Sequence, residues 1–205
     1  MTSEAKPTTT RAYRKRVRAQ QEAQTRRRIT EAAVRLHGTV GPARTTIKGV
    51  ADEAGVQRAT VYRHFPTEES LFEACSSHWR SLNPPPDPAA WESIRDPDER
   101  LSAALAELYA WYGWAEPMLS NTQRDAPLVP AMAAAVKAFR GHFEELRGAL
   151  LRGRPERGRA RTRVAAAIGH AIAFPTWRSL VSEQGLSDED AVNLMTRMVS
   201  SAGRR

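Results

Sequence analysis

The sequence predicts an all-α protein, and two patterns support this fold class. Apolar residues recur three or four positions apart in one segment after another, which is the period of an amphipathic helix. No stretch alternates apolar and polar residues as a β-strand or hairpin would. The run Asn-Pro-Pro-Pro-Asp-Pro at residues 83–88 cannot continue a helix and favours an extended spacer. We therefore expect a basic flexible arm over residues 1–23, a helical domain over 24–82 and a larger one over 83–205.

The first of these domains contains four short helical patterns, separated by residues that start or stop helices. A helix is expected from about Gln24 to Gly38. Thr46 can cap a second helix that ends at Gly55, and Pro66 separates a third, brief segment from a fourth. The expected core positions are Ile29, Ala32, Ala33, Leu36, Ile47, Val50, Ala51, Ala54, Val61, Phe65, Leu71, Phe72 and Cys75.

The second domain carries longer apolar stripes at helical spacing. The stripe over residues 132–150 alternates spacings of four and three, which predicts a long amphipathic helix. Two others lie over residues 101–112 and 164–172. Ser187, with Asp190 three residues later, resembles a capping box that opens a last helix.

Composition excludes several classes of protein. The 205 residues are 41% apolar, enough to bury a core, and the single Cys75 excludes a disulfide scaffold or a multi-cysteine zinc site. No apolar run approaches the roughly 18 residues of a membrane helix, and the basic N-terminus lacks the apolar segment of a secretion signal. We expect a cytoplasmic protein with no membrane partner, metal or cofactor.

Enzymatic activity is not expected either. The sequence contains no His-Glu-x-x-His motif, no glycine loop that cradles phosphate and no nucleophile elbow. Cys75 lies on an apolar helix face, where a buried and inert thiol is the usual case.

The net charge of +8 is distributed unevenly and indicates a polyanionic partner. Residues 1–30 carry nine basic and two acidic side chains, and residues 152–163 carry six basic and one acidic. The remainder of the chain is therefore slightly acidic. Clustered positive charge can displace counterions from phosphates, so nucleic acid is the expected partner. For residues 152–163, a solvated surface loop is the favoured interpretation.

The segment from Thr46 to Phe65 predicts a helix-turn-helix. This motif needs a small residue where its helices cross, a residue that tolerates positive φ in the turn and an apolar anchor in the second helix. Ala51, Gly55 and Val61 meet these needs at offsets of zero, four and ten. With Val61 and Phe65 turned inward, the other side chains of the second helix are free to enter a DNA groove.

The same segment, Thr46-Ile-Lys-Gly-Val-Ala-Asp-Glu-Ala-Gly-Val-Gln-Arg-Ala-Thr-Val-Tyr-Arg-His-Phe65, resembles the DNA-binding domain of the TetR (tetracycline-repressor) family. The resemblance implies an N-terminal three-helix DNA-binding domain and a larger helical domain that binds a small-molecule effector and dimerises. It implies a homodimer that represses transcription from a double-stranded palindromic operator until the effector releases it. Glu68 departs from the pattern, because the family often has a phosphate-binding Lys there.

The resemblance also implies DNA contacts by position in the motif. It implies that Thr46 and Tyr62 contact phosphates and that Arg58 and Ala59 lie at base edges. Basic side chains of the arm are expected in the adjacent minor groove. The full set is Thr46, Lys48, Gln57, Arg58, Ala59, Thr60, Tyr62, Arg63, His64, Thr67, Arg14, Arg16 and Arg18.

Aromatic residues and histidines of the second domain are the candidates for effector binding. Their density suggests that some line a cavity between helices, where ring faces bind flat apolar molecules. Ordinary core packing is the alternative for each of them. The candidates are Tyr109, Tyr112, Trp114, Met118, Phe139, His142, Phe143, His170, Phe174 and Trp177.

The last two stripes, over about residues 163–180 and 187–200, have few charges on one face and predict a dimer interface.

Two alternatives to the effector-released repressor stay open. One is a ligand-independent or activating helix-turn-helix regulator. The other is a nonspecific polyanion-binding helical protein.

Overall fold

The computed structural model describes residues 8–204, and its side chains from Ala12 onward. These residues form α-helices joined by turns and short 3₁₀ segments, with no strand among them, which confirms the predicted all-α fold. The short α8 continues as a π-helical turn over Arg178–Glu183. The helices are α1 (Thr8–Thr39), α2 (Ile47–Ala54), α3 (Arg58–His64), α4 (Glu68–Leu82), α5 (Pro97–Asp125), α6 (Ala133–Leu151), α7 (Gly158–Ala171), α8 (Phe174–Trp177) and α9 (Asp188–Ala202).

Helix α1 begins well before the predicted start at Gln24, so residues 8–23 are helical and not a flexible arm. No glycine or proline interrupts the chain between Thr8 and Gly38, and Arg, Gln, Ala and Glu favour helix even without a buried face. Nearly every side chain from 12 to 28 is exposed. The remainder of the predicted arm, residues 1–7, lies outside the described residues.

Helices α1 to α4, here called the head, share one core. Ile29, Ala32 and Ala33 of α1 pack in it with Val61 and Phe65, which are buried as predicted. Of the other predicted core positions in the head, Leu36 and Ile47 are only half-buried.

The proline-rich segment ends α4 as expected. The chain after Leu82 is non-helical until a 3₁₀ turn at Pro88–Trp91, and Trp91 is buried in a second core formed by α5 to α9. We call this second unit the C-terminal domain. The head packs directly on it, α1 against α5 and α4 against α6.

Several arginines of the segment 152–163 bind groups in other parts of the fold. The buried Arg154 pairs with Asp98 at 2.9 Å, and Arg163 donates a hydrogen bond to the carbonyl of Ala202 at the end of α9 at 3.0 Å. Arg152 pairs with Glu92 at 3.0 Å. The segment is therefore only partly a solvated loop, because its last residues form the first turns of α7 and several of its arginines pair with distant residues.

A second internal arginine, Arg100, fixes the start of α5. Its side chain is 8% exposed and donates hydrogen bonds to the carbonyls of Ile94 at 2.9 Å and Arg152 at 2.8 Å. A buried guanidinium is tolerated when its N–H groups are all occupied in this way. Within residues 8–204, each helix is too short or too polar to span a lipid bilayer.

Candidate DNA interface and effector cavity

Helices α2 and α3 and the turn between them form a helix-turn-helix. Thr46 caps α2 by accepting a hydrogen bond from the N–H of Gly49 at 3.0 Å. Gly55 ends α2 with φ of 63°, a left-handed conformation in which any side chain would be strained. Ala51 and Val61 are buried in the shared core, at the positions expected for the helix crossing and the anchor.

Two arginines of α1 hold the ends of these helices. Arg28 donates a hydrogen bond to the carbonyl of Ala54, and Arg26 donates to the carbonyl of His64 at 2.6 Å. The guanidinium of Arg26 also lies 4.1 Å from the centre of the Phe65 ring. A cation at a helix C-terminus interacts favourably with the helix dipole. This role could not be recognised from the sequence, because both residues belong to a run of basic side chains that looks uniform.

The outward face of α3 presents a mixture of cationic, small and hydroxyl-bearing side chains. Tyr62 is 54% exposed, so it is not part of the core of the head and is free to contact a partner. Such a face suits a DNA groove, since it can contact phosphates, base edges and thymine methyl groups. The exposed residues are Arg58, Ala59, Tyr62 and Arg63, with Thr60 half-buried.

Four predicted contacts flank this face, and all are exposed. Thr46 and Thr67 are both N-caps, and Thr67 accepts a hydrogen bond from the N–H of Ser70 at 3.2 Å. Lys48 pairs with Asp52 at 2.8 Å across exposed surface, a contact weak enough to be exchanged for a phosphate. The fourth residue, Gln57, precedes α3 and is exposed.

His64 differs from the other residues of α3. It is half-buried, and its Nε2 is enclosed without a hydrogen-bond partner among the described residues. Burial lowers its pKa, and the nearby Arg63 and Arg26 lower it further. The ring is therefore neutral near pH 7 and does not offer a cation to DNA.

The basic residues at the start of α1 are exposed. Arg14 and Arg16 make no ion pair with any residue from 12 to 204, whereas Arg18 lies 3.3 Å from Glu22. They project from a helix that continues into the head, so their positions relative to α3 follow from α1 and not from a free chain.

A cavity of about 570 Å³ lies between the head and the C-terminal domain. A volume of this size accommodates a drug-sized molecule. Its walls include Val34 and His37 of α1, Phe72 of α4, Met118 of α5 and Phe139 of α6. A bound molecule would therefore contact both the helices that support the helix-turn-helix and those of the C-terminal domain.

Of the ten predicted effector contacts, four line this cavity. They are Met118, Phe139, Phe143 and Phe174. The structure places the other six elsewhere. They are Tyr109, Tyr112, Trp114, His142, His170 and Trp177.

Three of these six are core residues. The hydroxyls of Tyr109 and Tyr112 donate hydrogen bonds to the carbonyls of Ala171 at 2.8 Å and Ile172 at 2.6 Å. The indole of Trp177 donates to the carboxylate of Asp188 at 2.9 Å. Each polar tip is thus satisfied inside the domain, which is why these aromatic residues can be fully buried.

The remaining three lie outside the cavity for different reasons. Trp114 is 51% exposed on the outer side of α5, where it packs against Trp79. His170 is exposed, with its ring nitrogen 3.3 Å from the hydroxyl of Thr176. His142 is half-buried on α6 and does not reach the cavity wall.

The inner end of the cavity contains two polar groups that the sequence did not single out. His37 and Cys75 lie with Nδ1 and Sγ 3.5 Å apart. Burial lowers the pKa of His37 to about 4 and raises the pKa of Cys75 to about 12, so both are neutral near pH 7. Their contact joins α1 to α4. It could not be recognised from the sequence, because 38 residues separate the two side chains.

Beside the cavity, the C-terminal end of α5 is joined to the head by hydrogen bonds. The amide of Asn121 donates hydrogen bonds to the carbonyls of His37 at 3.1 Å and Gly38 at 3.0 Å. The carboxylate of Asp125 accepts from the N–H of Ala43 at 3.0 Å and pairs with Arg124 at 2.6 Å. Hydrogen bonding from that guanidinium holds the pKa of Asp125 below its usual value. We call these contacts of Asn121, Arg124 and Asp125 the α5 latch.

Comparison with known proteins agrees with this geometry. Residues 29–75 match the family described as bacterial regulatory proteins, tetR family. The match covers about a quarter of the chain, and the similarity to this family is to its helix-turn-helix region. The matched residues contain the whole helix-turn-helix, the last part of α1 and the first half of α4.

The similarity to solved structures extends over both domains of the chain. A TetR-like transcriptional regulator from Rhodococcus sp. RHA1 is 16% identical over 86% of this chain and 94% of its own, with a TM-score of 0.62. A TetR transcription regulator from Haloarcula marismortui is 19% identical over 88% of this chain and 97% of its own, with a TM-score of 0.55.

A third structure is the multidrug binding protein EbrR complexed with imidazole. It is 24% identical over 84% of this chain and 93% of its own, with a TM-score of 0.51. At these identities the likenesses establish the fold. A search of curated proteins finds no match to the sequence.

Proposed function

We propose that the chain is a repressor that binds a palindromic operator as a homodimer and is released by a small-molecule effector. One observation carries the proposal: the cavity is walled jointly by the head and the C-terminal domain. Residues 24–82 would serve as the DNA-binding domain and residues 83–205 as the effector-binding and dimerisation domain. We place its action in the cytoplasm, where operator DNA lies.

For operator recognition we propose that the outward face of α3 enters the major groove. Arg58 would read base edges, for which a guanidinium is well suited, and Ala59 would contact the groove floor. Tyr62 and Thr46 would fix the register by binding phosphates. Arg14, Arg16 and Arg18 would contact phosphates or the minor groove beside the motif.

Dimerisation is proposed through the outer faces of α7 and α9, which pack against each other. Ala166 of α7 is exposed and small enough for close approach, and Leu194 of α9 is 43% exposed. Paired with a symmetry mate, these faces would form a four-helix bundle. The two copies of α3 would then need to lie about one DNA turn, roughly 34 Å, apart.

Release by an effector follows from linkage. A molecule that binds better to the form with unsuitable head spacing lowers operator affinity by that same difference in binding free energy. The α5 latch is the contact through which a change at the cavity would reach α1, since Met118 and Leu119 line the cavity immediately before Asn121, the first residue of the latch. EbrR, a protein of the same fold, has been crystallised as a complex with the small molecule imidazole.

Selection of bound duplexes from a random pool tests the DNA-binding half of this proposal. We expect a palindromic consensus whose half-sites are about one turn apart, and loss of the preference in Arg58→Ala, which removes the proposed base-edge contact. Equal retention of all duplexes would instead favour a nonspecific polyanion-binding protein. Gel shifts of the selected operator against a metabolite collection then test release, and an operator affinity that no bound molecule changes would favour a ligand-independent regulator.

A further inference from the structure

The charges around the cavity define the chemical class of molecule it can take. The buried residues of its wall, which form its inner end, are apolar apart from His37 and Cys75, and both of these are neutral near pH 7. An ionic group at this end would lose its hydration without gaining an opposite charge, which is strongly unfavourable. Only the uncharged body of a ligand therefore fits the inner end.

The outer end of the cavity is positively charged. Three arginines line it, Arg80 from α4 and Arg140 and Arg147 from α6, against the single acid Glu144. Arg80 and Arg140 are exposed, which places them where the cavity meets solvent.

The one acid at this opening is already engaged. Glu144 forms an ion pair with Arg147 three residues later on α6. Neither Arg80 nor Arg140 forms an ion pair with any side chain between residues 12 and 204. The opening thus keeps two guanidinium groups available, each with N–H donors that suit a carboxylate.

From this arrangement we infer that the effector is an amphiphilic organic acid, with an apolar body inside the cavity and its carboxylate held by Arg80 and Arg140 at the opening. The inference rests on the proposed function, because it names the ligand class of the same site. A cationic ligand would meet like charge at this opening. An uncharged ligand would gain only the weaker, uncharged kind of hydrogen bond from the arginines.

Isothermal titration calorimetry with three probes of equal chain length tests the inference. Decanoate, decanol and decyltrimethylammonium share an apolar body and differ in the charge of the head group. At concentrations below micelle formation, we expect decanoate to bind at least about tenfold more tightly than decyltrimethylammonium. Equal affinities, tighter binding of the ammonium compound or no binding of decanoate would overturn the inference.

A double variant, Arg80→Gln with Arg140→Gln, assigns the effect to these two side chains. We expect decanoate affinity to fall at least about tenfold and decanol affinity to change less than about twofold. Lys137→Gln, which removes an exposed cation of α6 outside the cavity wall, is the matched control and should leave both affinities unchanged. Both substituted arginines are exposed, so a thermal melt should show an intact fold. An unchanged decanoate affinity in the double variant would overturn the inference.

Calorimetry without DNA separates this inference from the proposed function. If decanoate binds through the arginines while operator affinity stays constant, the ligand class stands and effector-released repression fails. If an uncharged or cationic molecule releases the operator instead, repression stands and the ligand class fails.

Discussion

The head and the C-terminal domain present their functional side chains in opposite directions. On α3 the candidate DNA contacts point to solvent, and Val61 and Phe65 fill the core behind them. In the C-terminal domain the candidate ligand contacts point into a cavity, and the same helices bury Tyr109 and Tyr112 beside it. A substitution on α3 should therefore remove a DNA contact at little cost in stability. A substitution at the cavity wall should alter packing and ligand binding together.

The strongest effect on stability is expected at His37, where the two regions meet. Its pKa in the folded protein is about 4, against 6.5 for an unperturbed histidine, so the unfolded chain takes up a proton first as pH falls. Above about pH 6.5 His37 is neutral in both states and does not lower the free energy of unfolding. Between pH 6.5 and pH 4 its protonation in the unfolded chain lowers the free energy of unfolding progressively, by about 3 kcal/mol in all. Urea unfolding of wild type and His37→Leu at several pH values measures it.

Between pH 6.5 and pH 4 the free energy of unfolding should fall less steeply in His37→Leu than in wild type. All other titrating groups are the same in the two proteins, so the difference in slope comes from His37. Identical pH dependence in the two proteins would mean that His37 is not held neutral. The contrast between an uncharged cavity end and a charged exterior would then be lost.

Arg58→Ala and Tyr62→Ala test the same contrast from the side of the head. Each should weaken operator binding by about 1–3 kcal/mol, because a base-edge or phosphate contact is removed. Fluorescence anisotropy of a labelled operator measures the weakening. The free energy of unfolding should change by less than about 0.5 kcal/mol, as is usual for exposed positions. Lys137→Ala is the control, and operator binding in the two variants as strong as in this control would contradict the assignment.

This difference in direction also explains which features could be predicted from the sequence. The helix-turn-helix depends on local signals, such as the cap at Thr46, the glycine at position 55 and the anchor Val61, so its helices and its exposed face were predicted correctly. His64 was placed with the exposed residues, although it is half-buried and its Nε2 is enclosed. Its burial and the roles of Arg26 and Arg28 depend on how the helices of the head pack together.

Less of the cavity could be predicted, because core and cavity use the same residue types at the same helical spacing. Phe139 and Phe143 line the cavity, whereas Tyr109 and Tyr112 find carbonyl partners at the end of α7 and fill the core. Partners about 60 residues away cannot be recognised from periodicity. Helix α1 was also predicted too short, since a helix without a buried face lacks the apolar pattern that reveals one.

Tyr112→Phe tests the assignment of core against cavity. Removal of its hydroxyl leaves the carbonyl of Ile172 without that donor, and we expect the unfolding free energy to fall by about 1 kcal/mol. Ligand affinity measured by calorimetry should be unchanged. Phe143→Ala should instead change ligand affinity. A strong effect of Tyr112→Phe on ligand affinity, with stability intact, would place Tyr112 in the binding site.

The weakest effect is expected at the start of α1. The double variant Arg14→Gln with Arg16→Gln should reduce the slope of log K against log salt concentration by about 1 for each phosphate that is no longer bound. Deleting residues 1–20 should weaken operator binding and flatten this slope further. Anisotropy titrations at several salt concentrations measure both, and an unchanged slope would remove this part of α1 from the DNA interface.

Effector-released repression requires that occupancy of the cavity and operator binding are coupled. The coupling is measured as the operator Kd with and without a saturating ligand whose binding is altered by Phe143→Ala. We predict that the bound ligand raises the operator Kd by about 5-fold to 150-fold, a coupling of about 1–3 kcal/mol. An operator Kd that stays the same while the cavity is demonstrably filled would contradict this mechanism.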